Sequence, residues 1–211
     1  MPTDPSPLFE RMLTHYAPKW AEHGATPRGV DWNGEASQRL HFEQLAKIIR
    51  EPGTFTINDL GCGYGALLPF LRERFAGFRY RGYDINAAMI AAADARFGDA
   101  DDARFEVATM PVEAVDYGVA SGIFTLRLGR DDAQCHDDMA ATLDALDRTS
   151  ARGFGFNCLT AYSDPERMRE DLYYPDPRDV FDLCKRRYSR QVALLHDYGL
   201  YAFTILVRKE P

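Results

Sequence analysis

The 211-residue sequence predicts an α/β fold: a doubly wound, mostly parallel sheet of seven strands that ends in an antiparallel hairpin, preceded by an N-terminal helical addition. Three observations predict it. Thr54 to Ala66 passes from a short apolar run (Phe55, Ile57, Leu60) through glycines at alternate positions (Gly61, Gly63, Gly65), and an apolar stripe at helical spacing follows, Leu67, Leu68, Phe70, Leu71 and Phe75. From there to Thr160, short apolar runs alternate with helical patterns, as expected of parallel strands joined by crossover helices. Finally, Gln191 to His196 and Leu200 to Arg208 flank Asp197-Tyr198-Gly199 and read as two strands around a tight turn.

The length fits one domain over residues 1–211, with residues 1–52 as a helical cap and 53–211 as the core. At 45% hydrophobic residues the chain can build a sizeable core. A formal charge of −7 and a pI near 5.2 argue against a nucleic-acid partner, because phosphate binding needs a basic surface. Cys62, Cys135, Cys158 and Cys184 lie far apart and form no C-x-x-C, so neither a disulfide frame nor a metal site is expected. No apolar run reaches membrane-spanning length and Met1-Pro2-Thr3-Asp4-Pro5 lacks a signal pattern; a soluble, cytoplasmic protein with no membrane partner is expected.

In chain order, residues 1–9 are proline-rich and are expected to be poorly ordered up to Leu8-Phe9. Glu10 to Glu22 places Met12, Leu13, Tyr16 and Trp20 on one helical face; Gly24 to Asn33 is loop. Gln38 to Arg50 is an amphipathic helix, stopped by Pro52-Gly53. The glycine turn after the first strand can take positive φ and let a ligand lie against bare backbone, with the amides of the following helix facing it. Pro69 sits most easily in the first turn of that helix.

Gly61-Cys62-Gly63-Tyr64-Gly65-Ala66 also fits the dinucleotide pattern G-x-G-x-x-A. Asp59, two residues before the first glycine, separates the readings. Asp59-Leu60-Gly61-Cys62-Gly63-Tyr64-Gly65 resembles motif I of class I (Rossmann-like) S-adenosylmethionine (SAM) dependent methyltransferases, in which an acidic residue precedes G-x-G-x-G. The resemblance implies that Asp59 holds the amino-acid end of SAM, whose ammonium has no counterpart in NAD. It implies that Asp84, closing Tyr80-Arg81-Gly82-Tyr83-Asp84 with Ile85 beside it, accepts hydrogen bonds from the ribose hydroxyls. By element order it covers roughly residues 53–208. The cap would then cover the SAM pocket, with Trp32 and Arg39 as candidates and the Arg39 guanidinium able to pair with the SAM carboxylate. The alternative for these two is core packing and a solvated helix face.

Beyond Asp84, Asn86 is a good N-cap for an alanine-rich helix running to about Phe97 and closed by Gly98. Arg104 to Ala108 is a third strand; Thr109-Met110-Pro111 follows, a turn that borders the adenine in this family. Tyr117 to Leu126 is a fourth strand, and Ala120-Ser121-Gly122 falls where the family places motif IV, beside the methyl-bearing sulfur. The D-P-P-Y or N-P-P-Y of base and amide methylation is absent. Asp131 to Ser150 is helical, and Phe154 to Thr160 is the fifth strand. A polar insertion at about 161–190, with a helix from Asp179 to Arg187, precedes the hairpin. The cofactor-binding set implied is therefore Asp59, Gly61, Cys62, Gly63, Asp84, Ile85, Met110, Ala120, Ser121 and Arg39.

Methyl transfer from a sulfonium needs in-line approach more than covalent help, so the expected activity is transfer to a small polar molecule of unknown identity. A general base matters only for a hydroxyl or protonated amine acceptor. His136, Tyr162, Asp164, Tyr173, Tyr174 and His196 are candidates, with Tyr162 best placed after the fifth strand. Arg167, Arg169 and Lys185-Arg186-Arg187 could meet an anionic acceptor or form a solvated face. Two other functions fit the glycine turn: a nicotinamide-dependent oxidoreductase, disfavoured by Asp59 and the terminal hairpin, and a non-catalytic SAM-binding domain.

Overall fold

A computed structural model describes residues 7–51 and 53–209. The expectation of disorder over residues 1–6 and the role of Pro52 lie outside the described residues. The elements are α1 (Pro7–His23), α2 (Glu35–Ala46), β1 (Phe55–Leu60), α3 (Leu67–Arg72), β2 (Phe78–Asp84), α4 (Ala87–Phe97), β3 (Ala103–Val107), β4 (Val115–Ala120), α5 (Asp132–Thr149), β5 (Ser150–Leu159), α6 (Pro177–Arg187), β6 (Gln191–Leu195) and β7 (Ala202–Arg208). Single turns of 3-10 helix lie at Arg28–Val30 and Pro165–Arg167.

The seven strands form one sheet in the order β3-β2-β1-β4-β5-β7-β6. The first five are mutually parallel; β7 runs antiparallel to both β5 and β6. Strand alternation divides the core in two. Phe55 and Ile57 of β1 and Tyr117 and Val119 of β4 join α2 and α3 on one face. Leu60, Ala120, Phe154, Phe156, Phe203, Ile205 and Val207 join α5 and α6 on the other. This is the doubly wound arrangement, and the strand order reverses direction between β1 and β4. Ligands of open α/β sheets bind at the carboxyl ends of the strands at such a point.

Several details differ from the sequence pattern: α2 runs Glu35–Ala46 instead of Gln38–Arg50, and β5 starts at Ser150 instead of Phe154. The fourth strand stops at Ala120 instead of running to Leu126, because Gly122 takes φ 76° and turns the chain; Ile123 and Phe124 then pack beside the second core cluster as a loop. Gly98 caps α4 in a right-handed conformation, not the left-handed one usual for a C-terminal glycine. Asn86 does cap α4, its carboxamide oxygen accepting from Ala88 N and Met89 N. Among the described residues, no helix is long and apolar enough to cross a membrane.

Candidate functional site

A cavity of about 540 Å³ opens at the carboxyl ends of β1, β2 and β4. Asp59 ends up there because it precedes the last residue of β1, and its side chain falls on the face shared with Tyr80 of β2. Its carboxylate is 3% exposed and accepts a hydrogen bond of 2.6 Å from Tyr80 Oη. Burial pushes the Asp59 carboxyl up to about 7, against the Tyr80 hydrogen bond, which lowers it; the charge of Asp84 adds to the rise. Asp84, at the end of β2, is likewise raised by burial. Its oxygens accept from Gly63 N at 2.9 Å and Asn86 N at 2.8 Å, so it ties the glycine turn to the start of α4. Among the described residues, no Lys, Arg or His forms an ion pair with either carboxylate. Two acids without a cation, Asp59 buried and Asp84 half-buried, are costly alone and suit a cationic ligand.

The glycine turn requires its glycines. Gly61, Gly63 and Gly65 have φ of 75°, 56° and 77°. A Cβ on Gly61 would also collide with Ile123 Cγ2. Four amides of the turn are already engaged, a different set from the helix-start amides expected from the sequence to face the ligand. Gly61 N and Cys62 N donate to Tyr83 O, Gly65 N donates to Cys62 O, and Gly63 N is taken by Asp84. A pyrophosphate needs free amides of this kind; a cation does not.

At the end of β4, Asn157 of β5 fixes the next two residues. Gly122 N donates to Asn157 Oδ1 at 2.8 Å, and Asn157 Nδ2 donates to Ser121 Oγ at 2.9 Å. The Trp32 ring packs on Gly122, where a Cβ would sit 3.0 Å from Trp32 Cζ2. The cap closes the cavity from the N-terminal side. The α1 face bearing Leu8, Phe9, Met12, Leu13 and Tyr16 lines it, and Arg11 Nη1 donates to Leu128 O at 2.8 Å to hold α1 over the loop after β4.

Of the residues expected to bind cofactor, Asp59, Gly61, Cys62, Gly63, Asp84, Ile85, Met110 and Ser121 line this cavity. Ala120 sits behind it, fully buried in the second core cluster. Arg39 does not reach it: Arg39 Nη2 donates to Glu73 at 2.7 Å, and the guanidinium lies over the Phe70 ring. The helical rotation of 100° per residue explains this, since Gln38, His41 and Phe42 take the inward face of α2 and Arg39 falls outside it. Tyr162 is also outside the cavity. It is 59% exposed with its ring beside His196, because the chain turns outward after β5. His136, Asp164, Tyr174 and His196 do not line the cavity either, whereas Tyr173 does. Arg186 and Arg187 pair with Asp182 and Asp144 on the surface. From the 161–190 segment the cavity draws only Arg169, Leu172 and Tyr173.

Three residues the sequence pattern does not single out for the site are prominent here: Tyr16 and His41 on the wall, and Asn157 behind it. Their only sequence signal is periodicity, which marks them as inward-facing and nothing more.

A methyltransferase-domain family profile matches residues 58–151. A Mycobacterium tuberculosis (strain H37Rv) protein with a provisional methyltransferase assignment, Rv1506c, is 55% identical over 163 residues, spanning 77% of this chain and 98% of the relative. Among solved structures, a complex of DhpI with SAH superposes with a TM-score of 0.66 at 18% identity, over 99% of this chain and 100% of that one. Human N-acetylserotonin methyltransferase in complex with SAM gives 0.65 at 15% identity, over 99% of this chain and 61% of that one. The mitomycin 7-O-methyltransferase MmcR gives 0.68 at 16%, over 96% and 60%. At those identities the structures attest the fold, and the close relative carries the family. Sheet order, motif and relative agree: this chain belongs to the class I SAM-dependent methyltransferases.

Proposed function

We propose that this enzyme transfers the methyl group of SAM to a small molecule held between the end of β4 and the cap helix α1. The observation that carries the reading is one cavity lined both by Asp59 and Asp84, two carboxylates without a cation partner among the described residues, and by the apolar face of α1. Asp59 receives the ammonium of SAM, and Asp84 the ribose hydroxyls with the lone pairs that Gly63 N and Asn86 N leave free. Gly61, Cys62 and Gly63 give bare backbone along the cofactor, Ile85 and Met110 border the adenine, and Ala120 packs behind Ser121. Bound SAM supplies a methyl on a sulfonium, an electrophile with a neutral thioether as leaving group. The chain's own part is to align acceptor and methyl and to exclude water. Residues 1–52 act as the cap over this pocket.

The wall facing the acceptor modifies the expectation of a polar molecule. Leu8, Phe9, Met12, Phe124 and Leu172 contribute to it, which suits an acceptor with an apolar body and a polar reacting end. The four buried thiols support a reducing, cytoplasmic setting. The buried carboxylate of Asp59, which a pyrophosphate would meet unfavourably, weighs against a nicotinamide dinucleotide, and the room beyond Ser121 weighs against a module that only binds SAM. Ligand-induced stabilisation tests the reading. SAM and S-adenosylhomocysteine (SAH) raise the melting temperature and NAD(H) and NADP(H) do not; a rise with NADH and none with SAM overturns it.

A further inference from the structure

His41 is the one histidine on the cavity wall, and its hydrogen bonding fixes its tautomer. Nδ1 lies 2.9 Å from the carbonyl of Ser37, one turn back on α2. A carbonyl oxygen can only accept, so Nδ1 carries the proton and Nε2 is the bare, basic nitrogen. Nε2 is on the far side of the ring from that bond and points away from the α2 backbone. The ring is held edge-on by Trp32 at 4.6 Å between centroids and by Tyr198 at 6.0 Å. The Tyr198 hydroxyl is engaged with Thr204 Oγ1 at 3.1 Å, and among the described residues no hydrogen-bond partner meets His41 Nε2. The side chain is 6% exposed, and burial lowers its pKa, so it stays neutral and able to take a proton.

Ser121 presents the opposite sense. The backbone N–H of Gly122 can only donate, so the Asn157 atom facing it must be oxygen and the other amide atom nitrogen. That nitrogen can only donate, so Ser121 Oγ accepts from it, and the Ser121 hydroxyl proton is left to donate into the cavity. Gly122, next to Ser121, packs on the same Trp32 indole that holds His41. The cavity therefore offers a free donor and a free acceptor on either side of Trp32, the complement of a hydroxyl group.

We propose that the methyl acceptor is a hydroxyl on an apolar body and that His41 is its general base, which makes the enzyme an O-methyltransferase. This rests on the methyltransferase reading above. In the step, the acceptor O–H proton passes to His41 Nε2, a lone pair of the oxygen forms the new C–O bond to the methyl carbon, and the C–S electron pair returns to sulfur, leaving neutral SAH. The imidazolium then gives its proton to solvent. Ser121 donates a hydrogen bond to the same oxygen and orients it. A carboxylate or thiolate acceptor would need no such base.

The test uses 2-naphthol and 2-naphthalenethiol as probes with the full chain. Nitrogen NMR of the SAH-bound protein should show His41 with a protonated Nδ1 and a bare Nε2, and 2-naphthol should shift the Nε2 resonance. In single turnover with SAM, His41→Asn keeps a donor for the Ser37 carbonyl and should lose about 100-fold in rate toward 2-naphthol, a typical general-base effect. Its rate toward the thiol, largely ionised in mildly alkaline buffer, should fall less than about threefold. His41→Gln serves as a second variant, and both are compared at matched SAH affinity so that misfolding is recognised. An Nε2-protonated tautomer, equal losses toward both probes, or no binding or methylation of 2-naphthol by wild type that binds SAH overturns the proposal. A wild type that binds no SAH overturns the proposed function itself, and this inference with it.

Discussion

Asp59 shows how one residue can be costly to the empty fold and useful to the bound one. Its carboxyl is raised from 3.8 to about 7 because it is buried beside Asp84 with only the Tyr80 hydroxyl for company. A raised acid binds more protons folded than unfolded, so the stability its protonated form brings is present below the unfolded value and is lost as pH rises through about 7. A cationic ligand reverses the preference, since it binds the ionised form. SAM affinity is therefore expected to climb with pH up to about 7 and then level off, with proton release on binding below that point. Asp59→Asn should flatten the profile and weaken binding at high pH; calorimetry in buffers of different ionisation enthalpy reads both. A wild-type profile that is flat would remove Asp59 from the ammonium site. Asp84 is predicted to act differently. Asp84→Ala should weaken SAM by at least tenfold, about 1.4 kcal/mol, in the range of a hydrogen bond to a charged group. A lower melting temperature with unchanged affinity would reduce Asp84 to its tie between Gly63 and Asn86. Gly63→Val should give a folded protein that no longer binds SAM. Its φ of 56° and the nearness of Val30 Cγ1, 3.3 Å from a hypothetical Cβ, leave little room for the side chain other than where the ligand lies.

At the scale of elements, the cap helix contrasts with the sheet it covers. α1 has no buried residue, although Leu8, Phe9, Met12 and Leu13 face the cavity. Its ties are polar: Arg11 to Leu128 O, and the cluster in which His15 and Lys19 meet Asp31. α5, by contrast, buries Met139, Leu143 and Leu146 against the sheet and opens with a capping box at Asp131. Few buried apolar contacts place α1 at the low end of local stability. Its amides are expected to exchange with solvent much faster than those of α5, and SAM should slow them by filling the cavity that α1 faces. Exchange in α1 as slow as in α5 without ligand would contradict the low local stability assigned to α1. The opposite wall is better fixed. Tyr173 N donates to Thr125 O and Arg127 N to Asp171 O, which staples the loop after β4 to the 161–190 segment.

For the whole molecule, the cavity joins parts far apart in sequence into one binding unit, so a ligand that fills it stabilises the entire fold. A ligand that binds only the folded state contributes RT ln(1 + [L]/Kd), about 2.7 kcal/mol at a hundredfold excess over Kd. For a chain of this size that raises the melting temperature by several degrees. The rise is expected for SAM and SAH and should be smaller in the Asp59→Asn and Asp84→Ala proteins, in proportion to their lost affinity. Equal rises in wild type and both variants would mean that the ligand sits elsewhere.

What the sequence by itself determined is what local physics dictates. The strand, glycine turn and helix around Asp59 are contiguous; positive φ at Gly61, Gly63 and Gly65 is a property of glycine; and Asn86 caps a helix that starts next to it. The element order, with its closing hairpin, likewise led to a doubly wound, mostly parallel seven-stranded sheet, while the cofactor class came from the resemblance carried by Asp59 and its glycines. Tertiary structure alone decided which side of an element faces the site. Arg39 and His41 lie two residues apart on one helix, yet one meets Glu73 in solvent and the other lines the cavity, because packing on β5 and β7 sets the rotation of α2. Of two candidates, Tyr162 stays outside the cavity and Tyr173 lines it, because the chain turns outward after β5 and returns to pair Leu172 with Leu126. Apart from Ala120-Ser121-Gly122, the acceptor wall carries no motif. It exists only where α1, the turn after β4 and the 169–173 loop converge, and such long-range convergence leaves no local periodicity to read.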